Sequence, residues 1–138
     1  MTMTMLSSIR KWIVASAVAL GFAAFPAPAQ APELAMLERV ETGMWTLKER
    51  GKPDIRDRIC VRDARKLLQI EHRNATCSRF VIEDTPKQVT VSYSCPGTGN
   101  GRTTIKFEGS ELLQINTQGI VNGSPFAYAV EGRRAGGC

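Results

Sequence analysis

The chain has 138 residues, 43% of them hydrophobic, with 18 Lys and Arg against 13 Asp and Glu for a formal charge of +5. That length suits one domain with a modest core, and the scattered basic excess lacks the clustered face on a recognisable motif that nucleic-acid binding uses. A single histidine excludes a histidine-based metal cluster, and four cysteines direct attention to disulfides.

Residues 1–29 read as a signal peptide. A polar start ends in Arg10 and Lys11, an apolar run follows from Trp12 to Phe25, and Ala27-Pro28-Ala29 supplies the small-residue cleavage site. The run falls short of the roughly 20 apolar residues of a membrane span. Cleavage before Gln30 is therefore expected to release a single domain, residues 30–138, that does not span the membrane. Losing Arg10 and Lys11 without any acid lowers the charge from +5 to +3.

Next, Pro32 to Val40 places Leu34, Leu37 and Val40 at helical spacing, and Thr42-Gly43 ends a short helix. Beyond it the chain turns to short alternating runs broken by Gly, Pro, Asn and Asp, the pattern of half-buried antiparallel strands. Trp45 and Leu47 alternate with polar neighbours, as do Ile59 and Val61. A second short helix is expected over Asp63 to Ile70, with Asp63 as its cap and Leu67 and Leu68 facing inward. Two apolar runs, Phe80 to Ile82 and Val89 to Tyr93, flank the turn Asp84-Thr85-Pro86-Lys87. Alternation then resumes through Thr103, Ile105 and Phe107, through Leu113 and Ile115, and through Phe126, Tyr128 and Val130. Glu108-Gly109-Ser110 and Asn122-Gly123 join these last strands, and Asn-Gly is a strong signal for a two-residue hairpin turn. The pattern predicts a mainly β fold. It is an antiparallel meander of about seven strands curled into a half-barrel or small barrel, with two short helices.

Cys60, Cys77, Cys95 and Cys138 all fall after the leader, and an even number in an oxidising compartment predicts two disulfides. No C-x-x-C spacing points to zinc or to a redox pair. The midpoint of Cys77 and Cys95 lies at Pro86, inside the predicted turn, so the two sulfurs face each other across a regular hairpin and Cys60 is left for Cys138. One conflict arises. Cys95 shares a face with Val89, Val91 and Tyr93, whereas Cys77 alternates with Arg79 and not with Phe80 and Ile82. A bulge near Cys77 would reconcile the sulfurs with the apolar faces.

No catalytic constellation is legible, and nothing calls for a metal or a cofactor. His72 sits in the polar stretch Glu71-His72-Arg73-Asn74 and reads as an exposed loop residue with no orienting acid. Pro96-Gly97-Thr98-Gly99-Asn100-Gly101-Arg102 lacks the ending and the following helix of a phosphate loop, and reads as a wide hairpin connection. Lys48, Arg50, Arg56, Arg58, Arg102, Lys106, Arg133 and Arg134 fall mostly on outward faces, interspersed with acids, as on a solvated sheet surface. Trp45, Tyr93, Phe107 and Tyr128 are expected to point inward. They fill a core there, or line a small apolar ligand site.

Gly43-Met44-Trp45 at the first strand, Cys60 before a short helix, Cys77 and Cys95 around a hairpin, and the ending Arg134-Ala135-Gly136-Gly137-Cys138 together resemble the bacterial family called domain of unknown function 3617. The resemblance implies a Gram-negative periplasmic setting and the same four-cysteine framework, and it supplies no activity. The expected function is a non-catalytic periplasmic module that binds an apolar small molecule or a partner protein. The alternative is a structural protein of the envelope that docks through its sheet edge or basic face.

Overall fold

The structure is a computed structural model and describes residues 34–138. The expected signal peptide and the first residues of the expected N-terminal helix lie outside the described residues. A four-residue helix, α1 (Ala35–Glu38), is followed by β1 (Gly43–Glu49) and β2 (Ile55–Val61). A 3-10 helix, kinked at Gln69 where the backbone is non-helical, then covers Ala64–His72. The remaining strands are β3 (Ser78–Asp84), β4 (Gln88–Cys95), β5 (Gly99–Gly109), β6 (Leu112–Val121) and β7 (Ser124–Gly136).

All seven strands join one antiparallel sheet in the order β2-β1-β7-β6-β5-β4-β3. Five of them, β3 to β7, form a true meander. The β1–β2 hairpin sits beyond β7, so β2 and β3 are unpaired edges of an open half-barrel. The chain must travel from one edge to the other between β2 and β3, and the 3-10 helix is the segment that does so. Asp63 caps it by accepting from the Arg65 backbone at 2.9 Å, as the sequence predicts, and Leu67 and Leu68 are fully buried.

Period-two alternation places one apolar face inside. Trp45 and Leu47, Val89 and Val91, Ile105, Leu113, Ile115 and Val130 all reach zero exposure there. Side chains from α1, namely Met36 and Leu37, join the same core. The Asn122-Gly123 turn has positive φ at both residues, 49° and 80°, as a two-residue hairpin of this twist requires. The connection between β4 and β5 is tighter than expected. It consists of Pro96, Gly97 and Thr98 alone, with Cys95 already opposite Gly99, so the later glycines belong to the strand.

Both expected disulfides are formed: Cys77 with Cys95, and Cys60 with Cys138. Closing loops of 18 and 78 residues limits the unfolded chain by about 3 and about 4.5 kcal/mol respectively in the chain-entropy account. The expected bulge near Cys77 is absent. Pairing is regular from Ser78–Ser94 through Val81–Val91, and the irregularity lies farther along, between Val81 and Glu83. In consequence Arg79 and Val81 take the inner side, while Phe80 and Ile82 are left 70% and 43% exposed.

Gly101 and Gly119 are opposite each other on β5 and β6. A Cβ on Gly101 would meet the Tyr93 hydroxyl at 2.4 Å, so this glycine is what lets the Tyr93 ring lie across the strand. A Cβ on Gly119 would sit 2.1 Å from the Asn100 carbonyl oxygen, a backbone atom that cannot step aside. Gly119→Ala is therefore expected to destabilise the domain by about 2 kcal/mol or more, read as a lowered denaturant midpoint. A midpoint equal to the parent's would contradict this packing.

Candidate functional site

The four aromatic residues singled out from the sequence do not converge on one cavity. Trp45 is fully buried near the middle of the core, and its indole N–H donates to the Glu41 carbonyl at 2.9 Å. Phe107 lies at the α1 end, partly buried, with the Arg39 guanidinium 4.1 Å above its ring. Tyr93 and Tyr128 stand at the other end of the trough, where the 3-10 helix closes it.

That end holds a polar and aromatic cluster. Tyr128 donates to Glu71 at 2.7 Å, Arg56 donates to the same carboxylate oxygen at 3.1 Å, and the Arg56 guanidinium stacks 3.6 Å from the Tyr128 ring. His72, expected to be an exposed loop residue, is instead the last residue of the 3-10 helix and only 4% exposed. Its Nδ1 lies 3.2 Å from the Tyr93 hydroxyl, and its ring packs edge-on to Tyr93 and beside Phe126. The reason is topological. The 3-10 helix must cover the open end, and its last turn carries His72 inward. A buried hydroxyl pair, Thr103 and Thr117 at 2.8 Å, continues the polar row beneath Tyr93.

Burial pushes the Tyr93 phenol up to about 12, with the nearby Glu71 charge acting in the same direction and a hydrogen bond with Thr117 opposing it. Burial also raises Tyr128, reinforced by its bond to Glu71 and that carboxylate's charge. Both phenols keep their protons at neutral pH, and Tyr128 donates its proton to Glu71. The cluster orders the closed end of the trough. A shallow hollow of about 330 Å³ lies outside it, lined by residues that include Glu71, Arg73, Asn74 and Asn122.

The two sheet edges differ in character. Edge β2 carries Arg56, Asp57 and Arg58, with Arg56 paired to Glu49 and Glu71, Arg73 bonded to Asp57, and Cys60 tied to the C-terminus. Such charges and cross-links blunt an edge against pairing. Among the described residues, edge β3 has no comparable cover on its outer side, where Phe80 and Ile82 stand exposed. Arg79 reaches back over the trough instead, donating to the Gln69 side chain at 2.6 Å. The sequence contains a signal for this surface: the cysteine midpoint already places Arg79 on the side of Cys77, which leaves Phe80 on the other.

In comparisons with known proteins, no family model, no curated protein and no solved structure matches this chain.

The phenols provide a direct check on the buried cluster, because the chain has two tyrosines in all. A phenol whose folded pKa lies above the ordinary value near 10 favours the folded state at lower pH. That contribution is complete below about pH 10 and is lost as the pH rises toward about 12 for Tyr93. Ultraviolet titration of the native protein is expected to show no phenolate at pH values where the denatured chain is half ionised. A tyrosine that titrates normally in the folded protein would contradict the cluster.

Proposed function

We propose that this domain is a non-catalytic periplasmic interaction module, and that it docks an envelope protein through edge strand β3. The observation that carries the reading is Phe80, 70% exposed beside Ile82 on a strand with no partner on its outer edge among the described residues. A free edge offers unpaired backbone groups that accept an extended segment as an added strand, while alternate side chains supply selectivity. The partner of matching chemistry is an extended, apolar-rich segment whose side chains cover Phe80 and Ile82. The bulge between Val81 and Glu83 confines regular pairing to the half of β3 nearest Cys77.

What favours a partner protein over an apolar molecule in the interior is the packing. The inward-facing residues of β1 and β4 to β7 are largely at zero exposure, and Trp45, Phe107 and the two tyrosines are each engaged with protein groups. The periplasmic setting is supported by the leader pattern, by the resemblance to the domain of unknown function 3617 family and by the two disulfides, which persist in oxidising compartments. Among the described residues, no helix is long and apolar enough to cross a membrane.

A photo-crosslinking amino acid placed at Phe80 tests the reading, with one at Ile55 on the opposite edge as control. A discrete adduct from position 80, mapped to an extended segment of one envelope protein, is expected, with none from position 55. Phe80→Ser is expected to weaken that partner's binding at least tenfold while changing stability by no more than about 0.5 kcal/mol, as for other exposed positions. Equal labelling from both edges, or unaltered binding by the variant, would remove the edge from the account.

A further inference from the structure

The outer face of β5 to β7 carries a second surface, away from the free edge. Ala127 and Ala129 on β7 lie opposite Gln118 and Asn116 on β6. The two short methyl groups leave adjoining hollows of about 320 and 460 Å³, which share Arg102, Gln118 and Ala127. Among the residues lining these hollows there is no carboxylate. Arg102 and Gln118 make no side-chain hydrogen bond or ion pair with the described residues. At the far end Arg50 donates to the Asn116 amide oxygen at 2.7 Å, and this second guanidinium has no carboxylate partner among the described residues either.

We propose that this hollow binds a negatively charged saccharide. Amide side chains donate and accept at once, which suits neighbouring sugar hydroxyls. A guanidinium fork matches a carboxylate or phosphate group, and Arg102 and Arg50 provide two of them with no acid between. The donors stand on adjacent strands about 4.8 Å apart, a spacing of the same order as a sugar ring. Pairing of β4 with β5 and of β6 with β7 runs without a bulge, so the side chains are held on a rigid ladder and little ordering is needed on binding. The alanines give the ring a floor, and the open, wet geometry suits a hydroxylated ligand better than an apolar one. The site does not rest on the β3 edge, because Phe80 lies outside it.

Amide NMR titration of the whole domain tests the proposal with four probes: trigalacturonate, glucose 6-phosphate, maltotriose and inorganic phosphate. Shifts at Asn116, Gln118, Ala127 and Ala129 are expected with one or both anionic sugars, and maltotriose is expected to bind at least tenfold more weakly. The response to trigalacturonate against glucose 6-phosphate tells which acid the sugar carries. Arg102→Gln, at an exposed position, is expected to keep the parent spectrum and lose at least tenfold in affinity. Gln118→Ala is expected to weaken the sugars. Four results would each overturn the proposal: no shift with either anionic sugar, equal binding of maltotriose, phosphate binding as tightly as the anionic sugars, or unaltered affinity in both variants.

Discussion

The position of Cys77 opposite Cys95 governs the outer half of this fold. A strand that slips by one residue turns every side chain to the other face. In the slipped register Phe80 and Ile82 would enter the core and Arg79 and Val81 would leave it, a net gain of one large apolar side chain that burial favours by about 1.5–3 kcal/mol. The same slip would carry the two sulfurs out of alignment and forfeit a cross-link worth about 3 kcal/mol. The two terms are of similar size, and the observed register keeps the cross-link. The cost is an exposed aromatic on a free edge. The bulge after Val81 then resets the alternation, so that Glu83 faces outward and accepts from Gln88 at 2.6 Å.

The open sheet makes the second demand. Because β2 and β3 do not pair, the trough between them has to be closed by something else, and the 3-10 helix is the helical part of the connection between those strands. Its apolar residues, Leu67, Leu68 and Ile70, extend the core, and its last turn contributes Glu71 and His72. Polar groups buried this way need partners. Tyr93, Tyr128 and Arg56 supply them. One physical requirement, covering an unclosed barrel, thus accounts for the placement of the single histidine and both tyrosines.

Much of this architecture was legible in the residues. Alternation located the strands and the inner faces at Trp45, Ile105, Leu113, Ile115 and Val130, because half-buried strands leave a period-two trace. The cysteine midpoint named the hairpin and both pairings. Alternation reports that two faces exist but not which one is inside, and on β3 Phe80 and Ile82 lie outside while Arg79 and Val81 lie inside. The polar neighbours of His72 mimic a loop, while its burial depends on where the 3-10 helix lands. The glycine run has the local look of a wide connection, because the use of Gly101, room for the Tyr93 ring, emerges only once β4 and β5 are paired. The hollow beside Arg102 left no local trace at all. It arises from small side chains on one strand set against amides on the next.

The register of β3 is the claim on which the exposed edge, and so the interaction reading, depends. Cross-strand NMR contacts between backbone protons of β3 and β4 measure it most directly. Contacts that pair Ser78 with Ser94, Arg79 with Tyr93 and Phe80 with Ser92 are expected. Contacts that pair Phe80 with Tyr93 would show the slipped register, with Phe80 turned into the core, and would contradict it.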